Sequence, residues 1–488
     1  MGNGEFVYLG IKKNLCQKNC DFFNHEANTI NVTFNTDGFP ACKSSKSSAW
    51  PILGYCGRRV FLIALYCGRG EPEDFNELVA EVKCLYRRGI TICGKKYIFS
   101  LRAFVADTQA KASVLNIKAP GAYYCCPKCT IKGARFLYKG RGIQKRKVFK
   151  YSNIFFNEFN QPKQSSWDYK NFTLVKNPTH PHNLHNGRTV LADLLPMFNI
   201  VDSSVVDDMH ARDTGCGKKY IKALTEGFTG FRGVVRRKPV IVSKHQKLLN
   251  LDLEKLHKFC PTEFARKPRS LTFRAHFKSA EYRQFIHYTG IVLLKKYLPH
   301  QYYKNFSLLV VAMRILSMND QINEEICNYT KILIEKFLRG CSKLFGAAFL
   351  THSLHILTHL PDDVLKFGHS ASISCYRFED FNFHLTNQIR TGSRIVRQIL
   401  NRYNENCYHG LYERSNEEKS AEIFIKSVKK NGICSIRVMN FTFRCDREGD
   451  RYCEITGNRI VKIQSFQIRD GEIYIRAREF RNIRDLFK

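Results

Sequence analysis

Three acids stand where a folded chain could expose them for chemistry. Asp37-Gly38 follows the apolar, β-branched run Thr29-Ile30-Asn31-Val32-Thr33-Phe34, and Asp107 ends a second such run, Tyr97 to Ala106. Glu379 follows Tyr376-Arg377-Phe378 at the start of a helical pattern. An acid at a strand tip next to glycine can offer its oxygens to a hard divalent cation such as Mg2+ or Mn2+. Two such ions a few ångströms apart activate the attacking oxygen and stabilise the leaving oxygen of a phosphodiester. Each acid also has a plainer reading. Asp-Gly is a common turn, Asp107 before Thr108-Gln109-Ala110 suits a helix N-cap, and Glu379 suits a helix's first turn. Asp380, Asp208 and Asp213 compete with Glu379 for the third position.

Two further groups carry chemistry. Cys126-Pro127-Lys128-Cys129 is a C-x-x-C knuckle, and His182-Asn183-Leu184-His185 gives H-x-x-H downstream. Two thiolates and two imidazoles suit tetrahedral zinc, which would here be structural, stapling a loop-rich segment short of core residues. His180 is a rival ligand, and a pair of buried thiols with surface histidines is the plainer alternative. Asp207-Asp208-Met209-His210 places Asp207 and His210 three apart, on one face of a helix's first turn. That pair orients a group beside a metal site, contacts a reacting DNA end, or merely caps the helix.

These residues must be positioned by elements legible in the pattern. Ala49 to Leu53 and Val60 to Tyr66 read as strands, Asp74 to Arg88 as a helix stopped by Gly89, and the run ending at Asp107 as a fourth strand. Three strands, a helix and a fourth strand match a ribonuclease-H-like start, an α/β core in which the first and fourth strands lie side by side. The expected organisation is a remnant over 1–28, the first part of that core over 29–120, and a Cys/His zinc insert over 121–198 with the basic loop Lys139–Lys147. A core continuation over 199–236 follows, then a mainly helical insertion over 237–350. A core-completing helix with the third acid over 351–410, helical through 376–405, and a β-rich region over 411–488 end the chain.

The bulk composition narrows the partners. Seventy-eight Lys and Arg against 43 Asp and Glu give a net charge of +35 over 488 residues, with 44% hydrophobic residues to build a core. A field of that sign attracts polyanions, of which nucleic acid is the commonest. No run approaches the ~20 apolar residues of a membrane span. The start, Met1-Gly2-Asn3-Gly4-Glu5-Phe6, lacks the charge and apolar core of a secretory leader, and the 19 cysteines are scattered and odd in number. A reducing compartment with mostly buried thiols is expected.

Several of these runs together resemble the catalytic region of CACTA (En/Spm-like) DNA transposases, in the animal branch. They are Phe34-Asn35-Thr36-Asp37-Gly38-Phe39-Pro40, Ser44 to Ile52, Ala103 to Asp107, Cys126-Pro127-Lys128-Cys129 and Asp207-x-x-His210. Arg266 to Leu271, Glu281 to Phe285 and Phe378-Glu379 join them. The resemblance covers roughly residues 29–405. It implies a DDE-type transposase with a ribonuclease-H-like fold, interrupted before the third acid by a helical insertion. Asp37, Asp107 and Glu379 would hold two Mg2+ or Mn2+ ions. The protein would act in the nucleus on double-stranded DNA, at transposon ends and target, as a dimer or higher multimer. A captured transposase that still grips DNA but has lost strand transfer is the alternative.

Overall fold

The structure, a computed structural model, describes residues 4–16, 28–41, 47–72, 75–141, 147–151, 154–159, 161–164, 169, 184–231, 235–318, 322–409, 423–429, 432–439, 441–457, 459–469 and 472–480. They fall into two units. One comprises Met1–Cys216, Gly227–Lys238 and Val311–Arg414; the other comprises Gly217–Glu226, Pro239–Val310 and Ser415–Lys488.

The first unit is built on a mixed sheet flanked by helices. Its strands are β1 (Glu5–Tyr8), β2 (Thr29–Thr36), β3 (Phe39–Pro40), β4 (Ser48–Cys56), β5 (Arg59–Gly68), β6 (Ile90–Ile92) and β7 (Lys95–Val105). A hairpin of β8 (Leu137–Arg141) and β9 (Lys147–Tyr151) precedes the last strand of the sheet, β10 (Ser204–Val205). The order is β1-β5-β4-β2-β7-β10, with β3 on β4 and β6 on β7. β1, β5, β4 and β2 pair antiparallel in turn, whereas β2, β7 and β10 run parallel. Parallel strands need covered faces, and β2 is accordingly buried at every position from Val32 to Thr36.

Helices supply that cover. α1 (Ile11–Leu15) is held by Glu81, whose carboxylate accepts from the N–H groups of Ile11 and Lys12 at 2.7 and 2.9 Å. Glu81 lies on α2 (Asn76–Arg88), which buries Leu78, Val79, Val82 and Leu85 along one stripe. Gly89 ends α2 at φ 69, where a Cβ would lie 2.5 Å from the Tyr97 carbonyl oxygen, so only glycine fits the turn. α3 (Thr108–Val114) starts directly after β7. Helices Glu324–Phe345, Leu360–Phe367, Tyr376–Thr386 and Ile395–Tyr408 complete the unit. The helical run expected through 376–405 is thus broken. Thr391-Gly392-Ser393 turns the chain, Arg394 takes φ 50, and Gln398 caps the turn by accepting from the N–H groups of Arg390 and Thr391.

Aromatic packing fixes the level at which the parallel strands end. Phe34 of β2 is register partner to Phe104 of β7, their rings stack at 4.7 Å, and Phe198 lies 6.2 Å from Phe34.

The second unit is helical over Ser243–Leu256 and Ser279–Tyr297. It ends in two three-stranded antiparallel sheets: β13 (Ile423–Lys429), β14 (Gly432–Val438) and β15 (Phe441–Arg444), then β16 (Tyr452–Ile455), β17 (Arg459–Arg469) and β18 (Glu472–Glu479). Ile436, Ile463 and Phe466 form their shared core. Asp450 ties this region to the helices within the unit, accepting from the Thr262 N–H and hydroxyl at 2.8 and 2.5 Å. The β-rich end is therefore observed. The short hairpin of β11 (Phe228–Phe231) and β12 (Val235–Arg237) belongs to the first unit.

Phe34→Ala removes the ring that joins β2 to β7. A loss of about 3–5 kcal/mol in unfolding free energy is expected, measured by urea denaturation.

Candidate active site

The register places three acids at one level. Val105 of β7 is opposite Val205 of β10, so Asp107 and Asp207 each lie two residues beyond a paired position. Phe34 of β2 is opposite Phe104, so Asp37 and Asp107 each lie three residues beyond one. All three leave the C-terminal ends of adjacent parallel strands, where open α/β sheets place their ligands.

Local chemistry turns each side chain. Trp50 closes over the turn behind Asp37, with its Cε2 only 2.3 Å from where a Cβ on Gly38 would sit, so glycine is required there. Asp107 caps α3 through the Ala110 N–H at 2.6 Å, which leaves its second carboxylate oxygen for other use. Asp207 is buried and fully used. One oxygen accepts from the Met209 and Cys375 N–H groups at 3.2 and 2.8 Å. The other meets the His210 N–H at 3.1 Å and His210 Nδ1 at 2.5 Å. With Nδ1 held, His210 Nε2 faces Glu379 Oε1 at 3.4 Å. His210 lies in the π-helical stretch Met209–Gly217, a wider winding that recurs at functional sites.

Glu379 arrives on helix Tyr376–Thr386, seated by buried Phe378, Phe381 and Leu385 and by Arg377 stacked 3.9 Å over Tyr55. Its rivals are engaged elsewhere. Asp380 reaches His384 at 3.7 Å. Asp208 and Asp213 are buried against Arg212, each at 2.7 Å, and Asp213 also accepts from the Tyr376 hydroxyl.

Proton affinities show the acids sharing one field. Burial, then the charges of Asp107 and Glu379, push Asp37 from its ordinary 3.8 up to about 7, against the partial relief of His210. Burial opposes protonation of His210. The bond to Asp207 and the charges of Asp207, Glu379 and Asp107 outweigh it and raise the imidazole to about 9. Burial likewise opposes ionisation of Asp207, and the His210 bond reverses this and holds it low. The result is a carboxylate cluster with one imidazolium, short of positive charge.

The cysteine knuckle finds partners the sequence reading missed. Cys126 Sγ lies 3.4 Å from His359 Nε2, Cys129 Sγ 3.3 Å from His355 Nε2, and the two Nε2 atoms 3.3 Å apart. A tetrahedron with bonds of about 2.0–2.3 Å has ligand separations of about 3.3–3.8 Å. The four ligand atoms lie within 4.8 Å of one another, so the set fits a metal ion such as zinc. Burial works against a Cys126 thiolate, but the Cys129 thiol bond and the two imidazoles hold it well below the ordinary range. The bond to Cys126 and burial raise Cys129, so the pair shares a proton that a metal would displace. His185 instead packs edge-on against Tyr169 at 4.6 Å; His180 and His182 lie outside the described residues, as does most of the loop between Lys139 and Lys147. The one-turn spacing of His355 and His359 was visible in the sequence. Nothing local links them to cysteines 226 residues away.

No helix among the described residues is long and apolar enough to cross a membrane. The chain is similar to a solved structure of a Drosophila P element transposase strand transfer complex, with a TM-score of 0.37 and 10% identity over 80% of this chain and 78% of that one. No family model matches the sequence, and neither does any curated protein.

Metal analysis should find zinc on the parent and on His185→Ala, and none retained at this site by Cys129→Ser or His355→Ala. The acid cluster gives a pH signature. Asp37 binds its proton more tightly folded than unfolded, so its contribution to stability is full below about pH 4 and is lost as the pH rises to about 7. His210 behaves alike, full below about pH 6.5 and lost by about 9. Without divalent cations the melting temperature should fall across pH 4 to 9. Asp37→Asn should abolish the lower half of that fall and stabilise the protein at pH 8 by roughly 2–4 kcal/mol.

Proposed function

We propose that the protein is a DDE-type DNA transposase, or a protein derived from one, of the CACTA kind. The observation that carries this reading is the placing of Asp37 and Asp107 at one level on neighbouring parallel strands, with Glu379 facing the same cluster through His210. The order β5-β4-β2-β7-β10, antiparallel as far as β2 and parallel beyond it, suits a ribonuclease-H-like core. The +35 charge suits duplex DNA as substrate and the nucleus as the place of action.

Asp37, Asp107 and Glu379 would hold the divalent cations, Mg2+ or Mn2+. When bound, such a pair would supply activation of the attacking oxygen and stabilisation of the leaving oxygen of a phosphodiester, at a transposon end and on target DNA. The chain's own residues prepare the place. The strand ends fix Asp37 and Asp107, and the α3 cap locks one oxygen of Asp107 and thereby aims the other. Asp207 joins the loop after β10 to the start of the Glu379 helix through Cys375, and holds His210 so that Nε2 orients Glu379. These are positioning roles; Asp37, Asp107 and Glu379 would hold the ions.

The test is nicking of supercoiled plasmid DNA in Mn2+. Asp107→Asn keeps the helix cap but removes the charge, and Glu379→Gln keeps the helix. Each should lower nicking by at least about 100-fold, the several kcal/mol that metal positioning supplies. Asp380→Asn should stay near the parent. Equal nicking by the parent and Asp107→Asn overturns the mechanism, and a parent that binds DNA but never nicks it is the captured binding module.

A further inference from the structure

The C-terminal sheet β16-β17-β18 has two unlike faces. Ile463 and Phe466 point inward to the shared core, and Val461 is buried. On strand β18 the alternate residues Tyr474, Arg476 and Arg478 point the other way and are exposed. Cross-strand partners on this outer face are Gln467, Ser465 and Lys462, so no acid lies directly opposite either arginine.

Elsewhere in the two sheets, several basic groups are matched by acids, while Arg437 and Arg469 donate to the Met439 carbonyl and the Gln467 amide oxygen. Lys429 and Arg444 share Asp446 at 2.7 and 3.0 Å, Lys462 and Arg451 share Glu448 at 2.5 and 3.2 Å, and Arg459 approaches Glu479 at 3.9 Å. Arg476 and Arg478 have no acidic partner among the described residues. They bring two uncompensated guanidiniums to one face, about 6.8 Å apart along the strand at ~3.4 Å per residue. That separation is of the order of the step between successive phosphates of one DNA strand. A guanidinium's planar fork matches phosphate oxygens in pairs. Tyr474, with Arg469 stacked 5.8 Å over its ring, flanks the arginines with an amphipathic surface. The acid at this end, Glu472, accepts from the Tyr474 hydroxyl at 3.2 Å.

We propose that the outer face of β16-β17-β18 grips the sugar-phosphate backbone of duplex DNA, with Arg476 and Arg478 taking neighbouring phosphates. Such a contact is independent of base sequence and supplies affinity and orientation. It rests on the reading of the protein as one that acts on DNA, but not on the chemistry of the acid cluster.

Fluorescence anisotropy with a short duplex of arbitrary sequence, titrated between about 50 and 200 mM salt, tests it. Losing two phosphate contacts should reduce the slope of log K against log salt by about 1.8, and weaken binding at least about tenfold, in Arg476→Ala/Arg478→Ala. Arg476→Lys/Arg478→Lys, which keeps both charges, should regain most of the slope. Lys429→Ala, whose ammonium is already taken by Asp446, should bind like the parent. A double alanine variant with the parent's melting temperature, affinity and slope overturns the assignment. Tighter binding of the parent to a single strand or to an RNA duplex of the same length overturns the choice of duplex DNA. A parent that never nicks, with the slope effect intact, would sink the acid-cluster chemistry and leave this face standing.

Discussion

Like charge gathered at the ends of parallel strands is the constraint that organises the first unit. Asp37, Asp107 and Asp207 leave β2, β7 and β10 at one level, and Glu379 is brought beside them. Burial first, and then the charges of Asp107 and Glu379, disfavour ionisation of Asp37, which rises to about 7. Only part of the charge is answered internally. Asp207 spends its oxygens on three backbone N–H groups and the His210 ring, which keeps it ionised although buried. The imidazolium this creates faces Glu379. What is left is oxygen-rich negative charge facing outward, the environment a hard divalent cation prefers.

The cysteine–histidine centre bears on the same place through a short chain of contacts. Lys128, inside the knuckle, pairs with Asp363 at 2.7 Å, both nearly buried. The other oxygen of Asp363 accepts from the Val206 N–H at 2.6 Å, immediately before Asp207. Lys111, one turn into α3, donates its buried ammonium to the Val205 carbonyl. A buried ion pair of this kind contributes little net stability, but removing one partner costs about 3–5 kcal/mol because the other is left uncompensated. Its effect is therefore on register. The knuckle, the helix Leu360–Phe367 and the end of β10 cannot shift independently, and the loop carrying Asp207 and His210 is held by the same contacts.

Much of this was readable before folding because the signals are local. An apolar alternating run that stops at an acid marks a strand tip, and both Asp37 and Asp107 lie at one. A first-turn glutamate before buried Phe381 and Leu385 marks a helix start, and Asp207-x-x-His210 marks a pair on one turn. The cap function weighed for Asp107 is present, and it coexists with a free oxygen. The break at Thr391–Ser393 was missed because the hydrophobic period resumes beyond it. For a different reason, His355 and His359 do not stand out in the sequence. His182 and His185 are nearer in sequence to the cysteines, whereas His355 and His359 are brought there by the packing of helices that start far downstream.

The sequence by itself determined which residues were equipped for chemistry and which elements carry most of them, since periodicity, caps and strand tips depend on neighbours a few positions away. It also set the excess of positive charge, which no fold can alter. Only the tertiary structure decided which acids share a field and which are consumed by Arg212, which histidines meet Cys126 and Cys129, and which arginines remain unmatched on the C-terminal sheet. Those outcomes depend on register between distant strands and on burial. Both arise from packing the whole chain at once, so no local pattern records them.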